Sequence, residues 1–139
     1  MTVADIARTD VVTAPIDMTA AELADRMRES SVGSLVVLED GDPVGLVTDR
    51  DIAVRVVAEE RSPTEVTARE IMTGDLVTVT PETGVFQVTE LLAQENVRRL
   101  PVVDDGELVG IVALDDLMVL LSGELENLAG VVAAEAPPY

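Results

Sequence analysis

Four consecutive residues, Thr48, Asp49, Arg50 and Asp51, bring together a hydroxyl, two carboxylates and a guanidinium. They close the apolar run VGLV (Val44–Val47) and open DIAVRVV, which has helical spacing. A strand running into a helix start leaves backbone N–H groups unpaired at the positive end of the helix dipole. That is an anion site. Thr48 would add a donor to a phosphate oxygen. Asp51 would accept two hydroxyl hydrogen bonds, as from a ribose. The same residues also read as an ordinary helix cap, with Thr48 or Asp49 accepting a backbone N–H. The stretch alone does not separate these readings.

Composition closes most other chemistry. The 139 residues include no His and no Cys. The usual general base, the commonest metal ligand and thiolate chemistry are therefore absent. The carboxylates are scattered and show no metal-ligand spacing. No catalytic residue, metal or required cofactor is expected. The charge is −18, from 27 acids against 9 bases, and every base is Arg. Such a field repels nucleic acid and anionic membranes. At about 1 M salt the screening length falls to roughly 3 Å and most self-repulsion disappears, so the acid excess fits a halophilic protein. The start, MTVADIARTD, has neither the basic nor the apolar segment of a leader. No apolar run approaches the roughly 20 residues of a membrane span. A soluble, cytoplasmic protein is expected.

The elements that must position the motif follow from periodicity. Thr2–Arg8 reads as a helical lead-in, Val11–Ala14 as a strand ending at Pro15, and Thr19–Ser30 as a helix. Thr19 and Glu22 form a capping box. Leu35–Leu38 and Val44–Thr48 read as strands joined by the EDGD turn, Glu39–Asp42. Asp51–Ala58 reads as a helix and Glu60–Thr67 as a polar linker. The pattern then restarts: a lead-in at Ala68–Met72, a strand at Val77–Thr80, and a helix at Gly84–Glu95. Strands at Leu100–Val103 and Leu108–Val112 flank the DDGE turn, and a helix follows at Asp115–Leu121. Gly110 falls on Gly45 at an offset of 110 − 45 = 65. The same shift lays Asp105–Gly106 on Asp40–Gly41, Asp116 on Asp51 and Ile71 on Ile6. One extra residue near Val79 or Thr80 is expected to break the register. A match from lead-in to last helix is a duplication. Each unit is a lead-in helix followed by β-α-β-β-α, spanning 2–61 and 62–122. A unit of about 60 residues is marginal alone. The fold expected is α+β, two repeats packed by a pseudo-two-fold axis.

The duplicated strand ends VTAP and VTVTP, and SVGSLVVLEDGDPVGLVTDRDI against NVRRLPVVDDGELVGIVALDDL, resemble the cystathionine-β-synthase (CBS) domain pair, or Bateman module. The resemblance runs from about Val3 to Leu121. It implies a non-catalytic regulatory module binding an adenosyl ligand between the repeats, with AMP favoured and ADP or ATP also fitting. It implies phosphate at Thr48, beside Arg50, and ribose at Asp51. Adenine would meet the backbone of Val12, Thr13 and Ala14, and phosphates would meet Arg98 and Arg99 of the other repeat. An Arg fork suits phosphate oxygens, although both Arg also read as surface charge balancing the acids. The second cleft, with Thr78 and Asp116, is expected to be weaker. Ala113 replaces Thr48 there, and Gly33 and Ser34 stand where Arg98 and Arg99 stand. Two other functions stay open: an S-adenosylmethionine or methylthioadenosine binder, and a structural self-associating module with vestigial clefts. The resemblance also implies a homodimer of four repeats and a regulated protein partner of unknown identity. Apolar pairs Leu23/Met27 and Leu91/Leu92 are expected to need covering. The tail, 123–139, reads either as a helix over Leu121–Ala136, docking there through Leu125, Leu128 and Val132, or as a frayed acidic end with Pro137 and Pro138.

Overall fold

The computed structural model describes residues 1–135 and 137. Two antiparallel hairpins frame it. β2 (Ser34–Glu39) pairs with β3 (Asp42–Thr48), and β4 (Arg99–Asp104) with β5 (Glu107–Ala113). Each turn is Asp-Gly in the left-handed region: Asp40 at φ 51° and Gly41 at 83°, Asp105 at 49° and Gly106 at 79°. Positive φ at both central residues is the turn whose twist matches the strands it joins.

β1 (Thr13–Pro15) lies parallel to β2, with Ala14 opposite Val37. The strand expected at Val77–Thr80 does not form. One parallel bridge, Val79 to Val102, remains. The cause is a proline. Val36 donates its N–H to the Val12 carbonyl at 3.2 Å, and its counterpart, Pro101, has no N–H to give. This bridge also corrects the register. Val79–Val102 spans the same 23 positions as Ala14–Val37, so the offset of 65 holds throughout and no residue is inserted.

α2 (Ala20–Ser30) carries the expected box, with Glu22 N–H donating to Thr19 Oγ1 at 3.3 Å. α5 (Val85–Glu95) has Gly84 at that cap position and no side-chain cap. Both helices end on a left-handed residue, Ser31 and Asn96. Their apolar stripes face inward: Leu23, Met27, Val88 and Leu92 are buried, and Leu91 is partly buried. The pairs Leu23/Met27 and Leu91/Leu92 therefore leave no face waiting for another copy. The helix after β3 starts at Asp49, two residues earlier than expected. α3 (Asp49–Ile52) continues as one π-helical stretch, Ala53–Val57.

The lead-in helices cross over. In α1 (Val3–Ile6), Val3 N–H donates to Thr83 O at 2.8 Å and Ala4 N–H to Pro81 O at 2.9 Å. In α4 (Ala68–Ile71), Ala68 N–H donates to Met18 O at 2.8 Å and Arg69 N–H to Ile16 O at 3.0 Å. Val3 packs in one core with Val88, Leu100 and Leu117, while Ala68 and Ile71 pack in the other with Leu23, Leu35 and Val56. Each repeat's core is completed by the other's lead-in. Gly45 and Gly110 permit the crossing. A Cβ at Gly110 would lie 2.8 Å from the Arg8 carbonyl oxygen, and one at Gly45 would lie 3.0 Å from that of Thr73. Glycine inside a strand marks such an approach.

α6 (Leu114–Glu135) runs far beyond Leu121 and does not fold back. From Leu121 to Glu135 it is exposed throughout. By length and composition it is apolar enough to cross a membrane, although Glu124 and Glu126 keep every uninterrupted apolar run short. Ala136, Pro138 and Tyr139, to which the expected tail extends, lie outside the described residues.

Candidate functional site

Between the repeats lies a cleft of about 410 Å³, within the size range of small-molecule sites. Thr48, Asp49, Arg50 and Asp51 come from the β3–α3 junction, Arg98 from the bend just before β4, and Arg99 from its first position. Thr73, Asp75, Leu76 and Val77 come from the crossing segment after α4, and Leu46 and Val97 are among the apolar lining. Five residues singled out by sequence, Thr48, Arg50, Asp51, Arg98 and Arg99, thus meet around one cavity.

The junction is already capped. Asp51 Oδ2 accepts the Thr48 N–H at 2.8 Å, and Thr48 Oγ1 accepts the Asp51 N–H at 3.2 Å. Asp49 N–H donates to Gly33 O at 3.0 Å, and Arg50 N–H to Asp49 Oδ1 at 2.8 Å. The free N–H groups expected after Thr48 are therefore spoken for, because the short polar side chains satisfy the helix start locally. What stays available is the Thr48 hydroxyl proton and the second Asp51 oxygen, which has only Arg55 Nε at 3.7 Å. Positive charge comes from side chains. Arg98 Nη2 is paired with Asp115 Oδ1 at 3.1 Å. Among the described residues, Arg50 and Arg99 form no ion pair.

Val12, Thr13 and Ala14 do not line this cleft. Ala14 is buried, Val12 packs on the first core, and the Thr13 carbonyl accepts from Arg26 Nη1 at 2.7 Å. The crossing is the reason. It brings the segment after the second lead-in to Thr48 and the segment after the first lead-in to the opposite side. Thr78 follows Val77, which lines the first cleft, but is not itself among the lining residues. Thr73, Asp75, Leu76 and Val77 were missed. Glycine at Gly45 within an apolar strand was the available signal, since it asks what backbone passes there.

On the opposite side Arg8 stands where Thr73 stands in the first cleft, by the 65-residue shift. Its Nη2 donates to Asp116 Oδ1 at 2.7 Å and its Nε to Asp116 Oδ2 at 3.1 Å. Hydrogen bonding and charge from Asp116 raise the Arg8 guanidinium above its ordinary value. Both oxygens of the second ribose-type carboxylate are thus held by a bidentate fork.

Two intertwined repeats, a three-stranded and a two-stranded sheet each completed by the other's lead-in helix, enclose this cleft as one paired domain. The CBS domain model matches residues 3–58 and 68–123, and the chain belongs to that family. The CBS domain-containing protein YhcV of Bacillus subtilis is 41% identical over 117 residues, 84% of this chain and 83% of that protein. The uncharacterized protein MK0525 of Methanopyrus kandleri is 40% identical over 120 residues, 85% of this chain, which spans only 61% of that relative's length. The CBS domain pair of protein MJ0100, solved in complex with 5′-methylthioadenosine and S-adenosyl-L-methionine, superposes with a TM-score of 0.81 at 29% identity. That alignment covers 89% of this chain and 98% of the other. A hexameric CBS-CP12 protein from bloom-forming cyanobacteria superposes at 0.79 with 34% identity, covering 86% and 71%.

Proposed function

We propose that the chain is a non-catalytic sensor binding one adenine nucleotide, AMP in the first instance, in the cleft of Thr48, Asp51, Arg50, Arg98 and Arg99. The observation that carries this reading is the meeting of those groups around one cavity from both repeats. The Thr48 proton and the Arg side chains suit phosphate oxygens, and the outer oxygen of Asp51 suits ribose hydroxyls. Leu46, Leu76, Val77 and Val97 offer apolar surface to a purine. The opposite side lacks the hydroxyl and the two Arg, and its Asp116 is engaged. One phosphorylated ligand per chain follows. The protein works in the cytoplasm in concentrated salt, as a homodimer that passes the nucleotide signal to a partner protein.

A second reading is favoured by the neighbour solved with two adenosyl thioether ligands: the same cleft takes S-adenosylmethionine or methylthioadenosine. Phosphate separates the two. Thermal shift and calorimetry at about 1 M salt would compare AMP, ADP, ATP, adenosine, S-adenosylmethionine, methylthioadenosine and NAD. The first reading expects AMP to bind more tightly than adenosine. Preference for the thioethers establishes the second. No shift with any ligand removes both and leaves a structural module. Binding to the folded state at a hundredfold excess over Kd adds about 2.7 kcal/mol, which such a scan detects.

A further inference from the structure

The feature the cleft does not use is α6. Its residues beyond 123 lie outside the matched family model, and the helix continues to Glu135 with an exposed surface. An exposed extension of this length, containing Gly123 and Gly130, is too short and too glycine-rich to be held by its own propensity. Something must cover it.

The spacing identifies what. Leu114, Met118, Leu121, Leu125, Leu128 and Val132 recur at alternating intervals of four and three. That is the a/d seam of a left-handed coiled coil, and it asks for another α-helix of the same pitch. Leu114 packs on the second core, but Met118 is 61% exposed, Leu125 66%, Leu128 64% and Val132 69%. We propose that this seam pairs with the same seam of a second copy, so that two chains are joined through the outer halves of their α6 helices. The proposal rests on the self-association named above and gives it a surface. A seam of this kind is self-complementary, as a two-fold contact requires. The flanking positions are Ser122, Glu124, Ala129 and Val131, so a single carboxylate per chain stands beside it and does not have to face its own kind. Burying these side chains on both helices removes roughly 1,000 Å², the lower bound of a specific interface. A bilayer is the poorer occupant. Glu124 and Glu126 fall midway along the helix, which has no Lys or Arg for a headgroup.

The test is sedimentation of the full chain at about 1 M salt. Leu125→Glu with Leu128→Glu in one chain is compared with Asn127→Glu, which lies off the seam. Both Leu are exposed, so the domain body stays folded, and an unchanged nucleotide-induced thermal shift reports that directly. The double variant is expected to weaken self-association at least tenfold, while Asn127→Glu matches the parent. If the parent is a monomer at every concentration, both the dimer and the seam are wrong. If the parent associates and the double variant associates equally, the seam alone is wrong. Monomers that co-sediment with phosphatidylcholine vesicles, and lose this in the double variant, would give the face to lipid and overturn the pairing.

Discussion

The two sides of the repeat pair are built on matching backbone crossings and differ in chemistry. At Thr48 a hydroxyl and a carboxylate cap the helix reciprocally, and Arg98 and Arg99 face them from the other repeat. At Ala113 the cap is gone, Gly33 and Ser34 replace the two Arg, and Asp116 turns to Arg8. Backbone contacts are the same on the two sides: Arg8 and Thr73 each exchange hydrogen bonds with Ile111 and Leu46, at 2.9–3.2 Å. Duplication therefore preserved the scaffold and left each cleft free to diverge, because side chains at the rim are not needed by either core.

The largest effect tests how far that shared scaffold makes one folding unit. Leu35 and Leu100 are equivalent positions, both fully buried, in different cores. Leu35→Ala and Leu100→Ala should each cost about 2–5 kcal/mol. Because each core contains the other repeat's lead-in, either substitution should move a single cooperative transition in calorimetry. Two separated transitions, one per repeat, would show that the crossing does not couple the halves.

Much of this was legible in the sequence, and the part that was not has one cause. Hairpins declared themselves through Asp-Gly between apolar runs, and α2 through Thr19 and Glu22. The two Arg opposite Thr48 came from the family resemblance, and the overlay of repeats supplied their uncharged counterparts, Gly33 and Ser34. The resemblance implies adenine at Val12–Ala14, whereas Leu76 and Val77 line the cleft beside Thr48, because neither a motif nor its periodicity reports which chain segment lies against which. The strand lost at Val77–Thr80 depends on a missing N–H at Pro101, a partner 22 positions from Val79. A helix continuing over Leu121–Ala136 is one of the two readings of the tail, and α6 forms it as far as Glu135; its overall apolarity is masked by Glu124 and Glu126, which break the apolar run without breaking the helix.

A sharper test of the crossing uses its glycines. A Cβ at Gly110 meets the Arg8 carbonyl, which is backbone. At Gly45 the tightest contact is Met72 Sδ at 2.5 Å, the flexible end of a side chain, with the Thr73 carbonyl at 3.0 Å. Overpacking typically costs about 1–3 kcal/mol. Gly110→Ala should fall toward the upper end and Gly45→Ala toward the lower, read by urea unfolding. The reverse order would mean that the first lead-in yields more easily than the second.

Ligand-site substitutions bear on the chemistry directly. Removing a charged hydrogen bond costs about 1.5–3 kcal/mol, a tenfold loss or more. Arg99→Ala should weaken AMP by that factor and leave adenosine unchanged. Asp51→Ala should weaken AMP and adenosine alike, and Asp116→Ala neither. Thr48→Ala, which turns the first junction into the second, should also lower stability by about 1 kcal/mol through loss of the cap. Calorimetry in which Asp116→Ala abolishes AMP binding and Asp51→Ala does not would reverse the assignment of the clefts.

The smallest effect on folding, and the finest on binding, belongs to Arg8. Its pair with Asp116 lies at the surface, with the Arg8 side chain 67% exposed, and exposed pairs contribute little to stability. Arg8→Ala should leave the melting temperature nearly unchanged in high salt. What it alters is Asp116, whose two oxygens become free for hydroxyls, as the outer oxygen of Asp51 already is. A second equivalent of adenosine should then bind, more weakly than the first. Phosphate should add nothing to it. Ala113 offers no hydroxyl, Gly33 and Ser34 offer no charge, and the counterpart of Arg50 is Asp115, an acid. Adding Ala113→Thr to Arg8→Ala restores the hydroxyl but none of the charge, so AMP and adenosine should still bind this side equally. If Arg8→Ala shows only one equivalent of adenosine at any concentration, the fork is not what closes the second cleft. If the new site prefers AMP, then the Arg at 98 and 99 are not what makes the first cleft a phosphate site.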